Sequence, residues 1–270
     1  MIPRRSFLAA LGIAPVAGPA LVRAQSLGER GRKLMEEALL ALGGTAFMGM
    51  RDRTEEGRAY SYYRERLSGL SLARFETFYD DAEGQVVRIR ERQAFGKKFD
   101  YAVLFEGNGK AWDITFRGAK AIPEENVERW QDTMLRNAFY ILRCRMDEKG
   151  MIFERKGVEV IDNQPVETVN VTDSANRTVS ISLHQSTKLP VRQLYRRQNP
   201  DRTWMEEITT WSKYRETQGV QWPWAIQRHR NGERNLELYA SSVLINRGLT
   251  KADFQLGAKV NLIEDKKKKR

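Results

Sequence analysis

The residues of this 270-residue chain that could make or break bonds are few and scattered. His184 and His229, the only two histidines, fall on different predicted strands. A metal site needs three or four ligands at fixed spacing, and no HExxH, CxxC or DxDxDG pattern supplies them. His184 sits among Ser180, Ser182 and Ser186. Serines alternating with apolar residues mark the solvent face of a strand better than a nucleophile beside its base. Asp80-Asp81 falls at a turn, and Glu206-Glu207 points to opposite faces of a strand, so neither pair converges as acid and base. The lone Cys144 excludes an internal disulfide and reads as a small buried residue on a helix. There is no Walker glycine loop and no Gly-x-Ser-x-Gly elbow. The expectation is a protein that is not an enzyme and uses no cofactor and no metal.

The chemistry the chain is rich in is apolar burial. Trp112, Ile114 and Phe116 alternate along one predicted strand, and Trp222, Trp224 and Ile226 along another. Pro223 lacks an N–H, which points to an edge strand or a bulge at that position. Trp130 and Met134 lie on the apolar stripe of a predicted helix. Large apolar residues on the concave side of a curved sheet, lidded by a helix, make either a filled core or a ligand cavity. These eight residues are the candidate cavity wall.

The elements that would position them follow from the periodicity. Residues 27 to 42 repeat apolar side chains at three- and four-residue steps and end at Gly43-Gly44, the residue type that adopts a left-handed cap cheaply. Five strand-like runs follow between residues 60 and 116, including a hairpin at Asn108-Gly109. One long helix is predicted from Pro123 to Gly150, with acids at its start and arginines late. From Met151 the period is two, with turn residues at Asp162-Asn163, Gln218-Gly219 and Asn231-Gly232. The pattern is mainly β, about 11–12 antiparallel strands in a barrel or curved sheet, with two amphipathic helices to cover it. No linker divides residues 25–258, which read as one domain.

The first 24 residues read as a twin-arginine-type signal: Arg4-Arg5, an uncharged apolar stretch from Phe7 to Val22, and small side chains at Val22 and Ala24, with cleavage after Ala24. This predicts export to the periplasm. Nothing later approaches the ~20 apolar residues of a membrane span. Removing the three arginines of the signal lowers the formal charge from +11 to +8, and Lys266 to Arg270 hold five of those. Residues 259–270 read as a disordered basic tail, with attraction to anionic lipid as a weaker reading. The remaining body is too evenly charged for a nucleic-acid surface.

Several segments carry a resemblance: Ala41-Leu42-Gly43-Gly44, Ser186-Thr187-Lys188-Leu189-Pro190, the run from Tyr214 through Gly219-Val220 to Pro223, and Ile245-Asn246. Together with the order of elements, they resemble the periplasmic lipoprotein-carrier (LolA-like, outer-membrane lipoprotein-sorting-like) superfamily over about residues 27 to 256. The resemblance implies a half-open antiparallel barrel lidded by helices, whose apolar cavity takes acyl chains of a lipid or lipoprotein. It also implies transient inner- or outer-membrane protein partners. Divergent relatives act as envelope-stress sensors, so a plugged barrel that serves as a sensor or interaction scaffold is the alternative. An envelope hydrolase would need a nucleophile and base that the sequence does not place together.

Overall fold

The computed structural model describes residues 26–81, 84–199 and 201–263. The expected signal segment, with cleavage expected after Ala24, and the Lys266–Arg270 run lie outside the described residues.

The chain opens with helix α1 (Leu27–Ala41), started by a capping box in which Ser26 Oγ accepts from the Glu29 N–H and Glu29 returns the bond. Leu42-Gly43-Gly44 turns the chain into a single turn, α2 (Thr45–Met48). Six strands follow: β1 (Asp52–Tyr63), β2 (Arg66–Tyr79), β3 (Ile89–Phe95), β4 (Tyr101–Phe105), β5 (Ala111–Thr115) and β6 (Gly118–Ala121). Helices α3 (Glu124–Leu135) and α4 (Ala138–Tyr140) come next, the latter running into a π-helical turn (Ile141–Arg145). The second run of strands is β7 (Ile152–Ile161), β8 (Gln164–Thr172), β9 (Thr178–His184), β10 (Pro190–Gln198), β11 (Trp204–Thr217), β12 (Val220–Arg230) and β13 (Glu233–Ile245). A short 3-10 turn (Lys251–Phe254) lies in the C-terminal segment.

All thirteen strands form one antiparallel sheet in the order β6-β5-β4-β3-β2-β1-β13-β12-β11-β10-β9-β8-β7. Two meanders are thus joined through the β1–β13 pair, and the sheet is not closed. Both free edges are covered, as exposed edges invite aggregation. At β6, Ala119 donates its N–H to the Asn261 carbonyl and accepts the Ile263 N–H of the C-terminal segment. At β7, α1 packs so closely that a Cβ on Gly31 would sit 2.5 Å from the Phe153 carbonyl oxygen.

Several sequence expectations change. There are thirteen strands rather than 11–12, because β6 is too short to show a period. The expected strand 60–66 is split by a turn at Arg64 and Glu65, both with positive φ. Neither is a preferred residue there, so the long pairing on either side sets the turn. The single long helix is two pieces. Asn137 adopts an extended conformation and caps Tyr140, while the buried Gln193 side chain accepts the Ala138 N–H at 2.9 Å. Arg145, also buried, holds the break from the other side by donating to the Leu135 carbonyl and to Asp173.

Pro223 lies inside the sheet, yet it behaves as the sequence suggested. It pairs with Tyr214 on β11, whereas the β12–β13 ladder begins only at Ala225. Where β12 and β13 have no ladder, the end of α1 enters, and the Gln221 N–H donates to the Leu42 carbonyl at 3.0 Å. A Cβ on Gly43, at φ 121°, would meet the Gly219 carbonyl oxygen at 2.2 Å, so only glycine allows this approach. The main core joins α1, α2, α4 and the π turn to the concave face of β7–β12, with Met35, Phe47, Ile141, Leu142, Ile181 and Leu183 at its centre.

Candidate functional site

Beside that filled half, the concave face keeps a cavity of about 270 Å³. Its walls come from β1, β2 and β3 on one side and β11, β12 and β13 on the other, and Met134, Asn137, Phe139 and Tyr140 form its roof. Register explains who faces it. Glu55 pairs with Phe75, Phe75 with Gln93, Gln93 with Val103, and Val103 with Asp113, so these residues share one face. Across the β1–β13 seam, Ala59 pairs with Leu238, Leu238 with Ile226, and Ile226 with Trp211.

The inner end is sealed by Tyr79, Ile89, Phe139, Tyr140 and Trp222, all buried. Phe139 meets Trp211 edge-on at 5.0 Å and Trp222 at 4.8 Å between ring centroids. Toward the other end the lining becomes half-buried at Phe75, Phe95 and Leu236, and Arg228 is exposed. The cavity opens there, over an apolar floor of Ala59, Ala73 and Leu238.

One wall is polar, which the sequence reading of a purely apolar cavity did not anticipate. Arg53 Nε binds Glu55 Oε1 at 2.5 Å, its Nη2 donates to Thr77 Oγ1 at 3.1 Å, and its guanidinium lies 4.0 Å from the Trp222 ring centroid. Glu55 is 4% exposed, and its second oxygen has no hydrogen-bond partner among the described residues. Glu91 accepts from Gln93, and burial pushes its carboxyl above the usual carboxylate range against the pull of Gln93, Arg228 and Arg53. A ligand here meets aromatic rings on most sides and a hydrogen-bonding strip on β1–β3.

The eight candidate wall residues divide. Met134, Trp222 and Ile226 line the cavity. Trp130 lies next to it on α3, stacked on Phe105 at 4.2 Å. Trp224 packs on the core under the Arg215 guanidinium, off the cavity wall. Trp112 and Ile114 are on the opposite face of the sheet, because the concave face of β5 carries Ala111, Asp113 and Thr115. Trp112 donates to Glu106, which also accepts the Leu256 N–H of the C-terminal segment covering that face. Phe116 is in the β5–β6 turn, 83% exposed. Alternation placed Trp112 and Ile114 on one face but could not say which side of the sheet they take, and Phe116 lies beyond the strand. Phe75, Phe95, Trp211 and Leu238 escaped the sequence reading, although each lies at an alternating position of a strand.

Three of the side chains first considered for catalysis tie turns and strands together. His184 Nδ1 accepts the Thr187 N–H in the β9–β10 turn. Glu206 and Glu207 pair with Arg196 and Arg197 on opposite faces of β10–β11. Burial pushes the Cys144 thiol up to about 11, far from a reactive thiolate. Among the described residues, no three His, Cys, Asp or Glu side chains gather as a metal site. A wider groove of about 950 Å³ between α3 and β8–β11 is open and lined largely by charged and polar residues such as Arg129, Asp132 and Arg197.

The chain is a curved, unclosed antiparallel sheet with a helical lid over a largely apolar cavity. Solved structures share this fold. An outer-membrane lipoprotein-sorting protein domain from Vibrio parahaemolyticus is 13% identical, with coverage of 84% of this chain and 97% of that one and a TM-score of 0.56. A DUF1329 family protein from Desulfovibrio piger is 11% identical over 86% of this chain and 98% of that one, at a TM-score of 0.59. At such identities the likeness is one of fold. No family model and no curated protein sequence matches the chain. Among the described residues no helix is long and apolar enough to cross a membrane.

Proposed function

We propose that this is an exported periplasmic binding protein that shelters an acyl chain, or a similarly slender apolar group of a lipid or lipoprotein, in the cavity under α3 and α4. The observation that carries the reading is a cavity walled by Phe75, Phe95, Phe139, Trp211, Trp222 and Leu238 that is closed at one end and open at the other. Its volume, about 270 Å³, lies just below the range of roughly 300–1,000 Å³ common for small-ligand pockets, which suits one chain. Each buried methylene would contribute about 0.8 kcal/mol. The sequence supplies the export signal, and the fold class supplies the precedent of lipoprotein sorting.

Uptake of a fluorescent fatty acid by the mature chain tests the proposal. Ile226→Glu, which puts a carboxylate on the cavity wall, should cut affinity at least tenfold while the far-ultraviolet circular dichroism stays native. Unchanged uptake by a folded Ile226→Glu protein would remove the cavity from the account. The second reading, a sensor or scaffold with a plugged barrel, draws on the way α1, α4 and the π turn already fill the β7–β12 half of the concave face. It expects no fatty-acid uptake and a clean ligand-free mass on native mass spectrometry of periplasmic material.

A further inference from the structure

The two ends of the sheet differ in chemistry. In a meander, alternate turns lie at alternate ends, so the turns β1–β2, β3–β4, β5–β6, β8–β9, β10–β11 and β12–β13 share the end at which the cavity opens. Every aromatic side chain that is exposed among the described residues is at this end: Tyr63, Tyr101, Phe116 and Trp204. Each belongs to a turn or flanks one, and basic residues sit beside them. Arg64 lies over the Tyr63 ring at 5.3 Å and Arg117 over Phe116 at 5.3 Å. Lys97 and Lys98 precede Tyr101 in the β3–β4 turn, and Arg202 precedes Trp204. Leu67 adds an exposed aliphatic side chain after the β1–β2 turn. The opposite end has no exposed aromatic among the described residues, while acids occur in the turns of both ends, Glu65, Asp100 and Asp201 at the mouth and Asp80-Asp81 and Asp162 opposite.

Aromatic rings with arginine or lysine beside them, distributed over several turn tips, suit the interfacial zone of a bilayer. There the ring sits at headgroup depth and the cation stays with the phosphates. Each such cation contributes about 1 kcal/mol at an anionic surface. A protein partner would be better matched by one contiguous apolar patch than by separate tips.

We infer that the cavity-mouth rim of the sheet, led by Tyr63, Phe116 and Trp204 with Arg64, Lys97 and Arg117, is a docking surface for an anionic phospholipid bilayer. Docking this way sets the cavity mouth and Arg228 against the lipid, and the inference stands whatever the cavity holds.

The experiment uses the mature full-length chain and vesicles of phosphatidylcholine, with or without equal phosphatidylglycerol. Because Lys266–Arg270 could draw the chain to anionic vesicles alone, the readout must report on the rim. Brominated acyl chains in the vesicles should quench the fluorescence of the wild type, and Trp204→Phe should remove most of that quenching while vesicle binding persists. Combined Phe116→Ser and Trp204→Ser, at sites 83% and 65% exposed, should leave the melting temperature unchanged and lower vesicle affinity at least tenfold. Arg64→Gln with Arg117→Gln should lower the preference for phosphatidylglycerol at low salt severalfold. Vesicle binding without quenching, or equal binding by the serine variant, overturns the inference. So does a rim variant that loses a membrane-protein partner when the wild type binds no vesicle.

Discussion

At the scale of single residues, two buried carboxyls behave in opposite ways and give opposite predictions. Asp80 is buried beneath the C-terminal segment. Burial works to raise its pKa, but Lys251 at 2.7 Å, Arg90 at 2.8 Å and Gln85 at 3.2 Å outweigh it and hold the carboxyl at about 2. A depressed carboxyl stabilises the fold above its ordinary value of 3.8, and that contribution is lost as pH falls from about 4 toward 2. Asp80→Asn should therefore cost about 2 kcal/mol at pH 7, with the deficit shrinking below pH 4 in urea titrations. Glu91 is the reverse case, raised by burial in the cavity wall. Its ionisation in the fold opposes stability as pH rises above its ordinary 4.5. Glu91→Gln should raise the melting temperature at pH 7 to 8 and leave it unchanged near pH 4. A melting temperature that falls at pH 8 would mean that the charged form is needed in the fold.

At the scale of elements, the lid depends on a break that periodicity alone does not reveal. The stripe Val127, Trp130, Met134, Ala138, Ile141 and Leu142 fits one continuous helix. The break at Arg136-Asn137 is imposed by partners distant in sequence. Gln193 on β10 accepts the Ala138 N–H, and Arg145 binds both the last carbonyl of α3 and Asp173 in the β8–β9 turn. The Arg145–Asp173 pair is almost fully buried, at 5% and 3% side-chain exposure. Removing one partner of such a pair costs roughly 3 kcal/mol, although Arg177 here continues to neutralise Asp173. Arg145→Met should destabilise the protein by about that amount, and amide exchange across residues 124–135 should accelerate before the sheet opens. Uniform acceleration over sheet and helix would show instead that the lid and sheet open as one unit.

At the scale of the whole molecule, the sequence by itself determined the class of the longer elements and most turn sites. The first helix and its glycine end, the Asn108-Gly109 hairpin, the meander after Met151 and the local exception at Pro223 all follow from side-chain period and backbone preference. These are near-neighbour properties, carried by residues a few positions apart. What only the tertiary structure decided is which side of the sheet becomes the inside. Trp112 and Trp222 carry the same alternating signal, yet one lies under the C-terminal segment and the other at the sealed end of the cavity. That choice depends on the β1–β13 seam, which joins the two meanders, and on the helices covering one face. The charged start of β1 was illegible for the same reason: Arg53 and Glu55 gain their role only when Trp222, Thr77 and Glu91 close around them from three other strands. Period fixes the grouping of side chains on a strand, whereas packing between distant segments fixes the face they share.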